Sequence, residues 1–265
     1  MKTCFGIFRF ADIFYKLVRT NLWIARQGIV DQIVNLCIWT GLTLFIMGYI
    51  MQQFGLSAHY GAFQFASIVG AVGIFEIYNA AVKNIMDIDG DRNISYYLTL
   101  PAQPSVILAS MAFSYSLISM LLTVFLLPFG GFVLYNRFNF ADISWGKFAV
   151  IAFLSHIFFG VFMVAMTAHV GTISKMRNIW MRFIWPLWFL GCYQFSWAAL
   201  YALSAPFAYL LLCNPIVFVM EGTRAALLGQ QNFLPWITCC IALCFFIGAF
   251  AMYAHHKMKR LLDFV

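Results

Sequence analysis

Long apolar stretches separated by short polar runs set the plan of this chain. Six of them are long enough to cross a bilayer, which takes ~20 mostly apolar residues in a helix: 33–51, 61–82, 105–135, 147–173, 183–203 and 234–254. The third and fourth exceed that length and predict tilted helices. Residues 5–28 follow another pattern. Arg9, Asp12, Lys16, Arg19 and Arg26 return to one side of a 3.6-residue helix, while Phe10, Phe14 and Leu17 fall elsewhere around it. That segment reads either as a helix in the interface plane, basic face toward anionic headgroups, or as an ordinary helix packed on a partner. Residues 204–233 are apolar but broken by Pro206, Pro215 and Gly229, and they carry Glu221 and Arg224. Non-helical backbone at membrane depth persists only where protein or a watery cavity satisfies it, so a re-entrant pair of short helices is expected there. The predicted fold is an all-α integral membrane protein, one transmembrane domain over residues 1–265.

Composition strengthens this picture. Hydrophobic residues make up 63% and charged residues 9%, against about 45–50% and about 25% in soluble domains. The net charge of +7 would suggest nucleic acid in a soluble protein, but here the basic residues sort by topology. With the N-terminus inside, the inner segments hold Lys2, Arg9, Lys16, Arg19, Arg26, Lys83, Arg92, Lys175, Arg177, Arg182, Lys257, Lys259 and Arg260. Only Arg137, Lys147 and Arg224 remain outside. Thirteen of 16 basic residues on one side predict an inner cell membrane protein with both termini cytoplasmic and no nucleic-acid partner. Charges from Arg9 to Arg19 interrupt the apolar core that a signal peptide needs, so the N-terminus is expected to be retained. The seven cysteines lie mostly in apolar stretches without C-x-x-C or ligand spacing. They read as small buried hydrophobes, not disulfides or metal ligands.

The polar exceptions carry the candidate chemistry. In the segment 83–104, Asp87, Asp89 and Asp91 invite a calcium reading, but an EF-hand loop counted from Asp87 would place Arg92 and Leu98 where Gly and Glu belong. Two readings remain: a solvated turn whose acids favour a helix start by ~0.3–1 kcal/mol, or a cytoplasmic helix over 91–98 offered to a soluble partner. Glu76 lies inside the second span, where a carboxylate costs roughly 2.5–3.5 kcal/mol on insertion scales and must find a partner. Arg19 or Arg26 is the expected one; a proton relay with His156 or His169 is the alternative. After Asn214-Pro215, Glu221 and Arg224 stand at i, i+3 and can pair on one helix face, which reads as part of an external gate. The phosphate-cradling G-x-x-x-x-G-K-[ST] is absent: Gly146-Lys147 is followed by Phe148 and preceded by Ala141 at the first-glycine position. H-E-x-x-H and G-x-S-x-G are absent as well, so no catalytic or metal residues are expected. Aromatics reach 19%, with Trp180, Trp185, Trp188 and Trp197 clustered, consistent with a path for sugars or with interface anchors.

Phe75-Glu76 ahead of a polar loop ending in Leu98-Thr99-Leu100-Pro101, then Asn214-Pro215 followed by Glu221-x-x-Arg224, then a last span closing with Lys257, Lys259 and Arg260 resemble the permease subunits of ABC-2 type exporters. The likeness covers nearly the whole chain and is closest to members that export lipo-oligosaccharides, O-antigen and other polysaccharides, or drugs. It implies six transmembrane helices, an N-terminal amphipathic interface helix, a coupling helix after the second span and re-entrant helices before the last. It further implies that Asp87, Asp89, Asp91, Arg92, Asn93 and Tyr96 dock on a separate ABC-type ATPase subunit that holds ATP and magnesium, with no cofactor on this chain. A second copy of the permease, or a close paralogue, would complete the pathway, with membrane lipids around it. The density of aspartate departs from the family pattern and suggests a basic socket on the ATPase. Two alternatives stand beside this: a proton-coupled carrier using Glu76, and a membrane assembly subunit that transports nothing.

Overall fold

A computed structural model describes residues 2–89, 103–170 and 173–262. Among them every regular element is helical. Helix α1 (Lys2–Ala25) passes through one 3₁₀ turn (Arg26–Gly28) into α2 (Ile29–Phe45), which ends in a π turn (Ile46–Ile50) and a further 3₁₀ turn (Met51–Phe54). The break expected between an interface helix over 5–28 and a span over 33–51 is therefore a single tightened turn. Gly28 weakens the helix by about 1 kcal/mol, but no proline removes a backbone donor, so the chain tightens instead of stopping. Gly55 closes this run at φ 94°, a conformation that glycine adopts without strain.

Four further long helices follow: α3 (Tyr60–Asp89), α4 (Pro104–Val133), α5 (Trp145–Val170) and, at the end, α11 (Trp236–Leu262). α3 continues past the predicted limit at 82, so residues 83–89 of the expected coupling segment prolong the second span's own helix. Five runs among the described residues are long and apolar enough to cross a membrane: Phe10–Phe54, Tyr60–Met86, Pro104–Val133, Trp145–Val170 and Trp236–Met258.

The predicted fifth span, 183–203, is not one helix. The chain runs through α6 (Ile173–Ile179), a π turn (Trp180–Ile184), α7 (Trp185–Trp188) and a second π turn (Phe189–Tyr193). Helical geometry is lost at Gly191 (ψ 20°) and Cys192 (φ 64°). A new short helix, α8 (Trp197–Leu203), starts where Ser196 Oγ accepts from Ala199 N at 3.1 Å. An apolar run hides such a stop, because the glycine and the serine cap that make it are compatible with a membrane helix by hydropathy alone. α9 (Ala205–Leu211) and α10 (Pro215–Leu227) then meet at a bend of 98°. Counted as one broken span, this bent pair raises the membrane-length elements among the described residues to six.

α3 is the most enclosed long helix and packs on α4, α5 and α10. α2 and α4 run in one direction, α3, α5 and α11 in the other. Tyr49 Oη donates to Val133 O (2.8 Å) at the distal end, which also carries Gly55 and Trp236. At the proximal end, where α4 begins and α11 finishes, Ala251, Ala254 and His255 lie across from Ser105 and Leu108. α1 lies on α4 through Phe14 and Phe113, 5.7 Å between centroids, and keeps the Asp12–Lys16 ion pair (2.6 Å) on its exposed side. Phe250 of α11 sets its edge against Phe162 of α5 at 5.0 Å.

Candidate functional site

The site at the distal end grows from the start of α10. Asn214 Oδ1 accepts from Ile216 N (3.0 Å), the usual N-cap, and Pro215 in the first turn lacks the N–H that would otherwise be unpaired. Asn214 Nδ2 donates to Leu187 O (2.6 Å), which ties this helix start to α7. Gly191 permits the closeness: a Cβ there would stand 2.4 Å from Ile216 Cγ2. Asn214→Ala removes both bonds and should cost about 0.5–2 kcal/mol, read as a lowered unfolding midpoint of the purified chain; an unchanged midpoint would mean that the cap is idle.

Every residue of α10 is buried, so its two charges have no water to turn to. Arg224 Nη1 donates to Glu221 Oε1 at 3.1 Å, both side chains fully enclosed. Two oxygens cannot serve five guanidinium donors, and the rest of the fold supplies what is missing. Arg224 Nη2 and Nε donate to Ser67 Oγ of α3 (2.6 and 3.2 Å). The carbonyls of Cys192, Tyr193 (3.0 Å) and Phe195 (3.2 Å) accept the others. Those carbonyls point inward because the helix has come apart at Gly191–Cys192. The guanidinium also lies 3.8 Å over the Phe63 ring, a cation–π contact of roughly 2 kcal/mol when desolvated.

The carboxylate closes the other side. Glu221 Oε1 accepts from Trp197 N (3.0 Å) at the start of α8, and Oε2 from Leu234 N (3.1 Å) ahead of α11. Trp197 Nε1 in turn donates to Ala208 O (2.9 Å) of α9. One ion pair thus joins α3, the broken helix, α8 and the approach to α11. A paired, fully hydrogen-bonded charge couple of this kind adds little net stability against apolar residues, but losing one partner is severe. The arrangement has the chemistry of a clamp that holds four segments in one geometry.

The remaining predicted residues lie elsewhere. Glu76 does not pair with Arg19 or Arg26: both arginines are exposed, and the ion pairs among the described residues are Lys16–Asp12 and Arg224–Glu221. Glu76 instead shares a cavity wall with Asn79 and Lys83 of its own helix, one and two turns on, while α1 lies against α4 and presents Asn21 to Ser114 (3.4 Å). Asp87 and Asp89 fall in the last turn of α3, while their side chains, and all of Asp91, Arg92, Asn93 and Tyr96, lie outside the described residues. His156 sits between Ser119 Oγ and Thr123 Oγ1, 3.0 Å from each, and His169 meets Tyr253 Oη at 2.6 Å. No hydrogen bond among the described residues joins either histidine to Glu76.

Sequence reasoning missed Ser67, Phe63 and the three carbonyls. The available signal was donor arithmetic: a buried arginine beside a single carboxylate requires more acceptors, although nothing in the sequence says which groups supply them. No protein-family model matches this chain, and no curated protein matches it.

Proposed function

We propose that the chain is the permease subunit of an ATP-driven exporter, set in the inner cell membrane with both termini cytoplasmic and moving an amphiphilic or glycan-bearing substrate. The observation that carries the reading is the course of α3. Near its distal end Ser67 and Phe63 hold Arg224, and its proximal end leads directly into the segment that resembles a coupling helix. A helix of 30 residues is a lever ~45 Å long at 1.5 Å per residue. A push on 90–102 by an ATPase would reach the clamp through one rigid element, and rigid-body movement of packed helices is a common way to switch access.

A membrane setting is supported by α11, which leaves Ile237, Ile241, Phe245 and Met252 at least 64% exposed along one stripe, a surface that suits lipid and not water. A second permease copy or close paralogue would complete the path, the re-entrant reading of 204–233 would place the clamp at the external side, and ATP and magnesium would reside in the partner.

The reading is tested by purifying the tagged chain in mild detergent and assaying ATPase activity in whatever accompanies it. A stoichiometric nucleotide-binding subunit is expected, and Asp91→Lys should abolish stimulated hydrolysis while membrane insertion persists. Absence of an ATPase, or full activity in the variant, would sink it.

A further inference from the structure

A cavity of about 410 Å³ opens near the proximal end between α1, the start of α2, α3 and α4. This is within the size range of small-molecule sites. Its wall is unusually polar for an apolar bundle, because five partly buried or exposed carboxamides line it: Asn21, Gln27, Gln32, Asn79 and Asn84.

The hydroxyls in the same wall are already spent. Tyr115 Oη donates to Gly73 O (2.5 Å), Ser114 Oγ to Ser110 O (2.6 Å), and Ser119 Oγ is held by His156. Two of the amides are less well served. Gln32 Oε1 is enclosed with no partner, and among the described residues Asn84 Nδ2 meets the Met163 thioether at 3.0 Å, a weak acceptor. A polar group left in that condition inside a fold is expensive, and buried polar groups in native structures are nearly always satisfied.

The charge pattern selects the ligand. Glu76 and Lys83 both line the cavity and oppose each other, so neither a cation nor an anion is favoured. Carboxamides offer donors and acceptors together, which matches a group that does the same without charge. From this wall we infer that the cavity binds a neutral polyhydroxylated group, a sugar ring or its equivalent. Ile24, which lines the cavity and is itself 55% exposed, leaves a route for an alkyl tail along α1. The inference rests on the permease reading only in taking the bound group for cargo; the site stands on its own contacts.

The test uses the full chain in phosphatidylcholine nanodiscs, without any ATPase, and equilibrium binding of two probes: maltose, and hexyl maltoside below its micelle concentration. Saturable binding is expected, and loss of one hydrogen-bond partner in the cavity wall should weaken it by about tenfold in each of Gln27→Leu and Asn79→Leu. Both positions are exposed, so the variants should fold, and their unfolding midpoints check this. Preference for hexyl maltoside assigns a tail-bearing glycoside, and equal binding assigns the free sugar. Three results would overturn the site: no saturable binding, a water-filled vestibule only; binding unaffected by both leucine variants; or displacement by hexyltrimethylammonium that Glu76→Gln abolishes, which would make it a cation site. Because no ATPase enters the measurement, failure here leaves the co-purification result untouched.

Discussion

Arg224→Met should leave the protein poorly folded, with its unfolding midpoint sharply lowered and its elution in detergent broadened or lost. The substitution removes six hydrogen bonds and strands Glu221, which has no exposed surface. Breaking one member of a buried ion pair costs about 3–5 kcal/mol, a large share of the ~5–15 kcal/mol that holds a typical domain together. The double variant Glu221→Gln with Arg224→Met tests the cause. It removes the orphaned charge, and a glutamine oxygen can still accept from Trp197 N, so much of the loss should return. Arg224→Lys should fall between, because an ammonium keeps the charge but offers three donors from one atom to a site built for a planar fork. A wild-type midpoint in Arg224→Met would show that α3, the broken helix, α8 and the α11 approach are held by packing alone.

The clamp also shows how far the residues could be read before the fold was seen. Long apolar runs reveal spanning-length helices because hydropathy is a local property of about 20 residues; α3, α4, α5 and α11 begin close to where such runs do, while α3 and α11 continue well past their apolar ends, to Asp89 and Leu262. Asn214-Pro215 announces a helix start through cap and ring chemistry, and α10 begins there. The fifth run misled because hydropathy does not register Gly191, Cys192 and Ser196 as a stop. Glu76 misled for a different reason: its pairing depends on which face α1 presents, and α1 is turned by Phe14 and Asn21 toward α4. Tertiary orientation of that sort is not encoded in any one segment. The acceptors of Arg224 were hidden in the same way, since backbone carbonyls have no residue identity to recognise.

Two glycine substitutions should shift stability in opposite directions, and the contrast measures how tightly α4 and α5 are joined. At Gly160 an added Cβ would lie 2.2 Å from Ala112 O and 2.3 Å from Ser116 Oγ. A backbone carbonyl in mid-helix cannot rotate away, so Gly160→Ala must push the helices apart. Overpacking of this kind costs typically about 1–3 kcal/mol, and the cost should grow in Gly160→Val. Separation at this level would also strain the contacts of His156, one turn earlier on α5, with Ser119 and Thr123 of α4. Gly248 of α11 has nothing within 4 Å of its Cβ position. There alanine adds no clash and removes backbone freedom from the unfolded chain, a gain of about 0.5–1 kcal/mol. Thermal unfolding of the two alanine variants in one detergent should therefore place Gly160→Ala below the parent and Gly248→Ala at or above it. If Gly160→Ala melts with the parent, α4 and α5 are not in close contact at Ala112, and the wall of the sugar cavity that α4 supplies must sit differently.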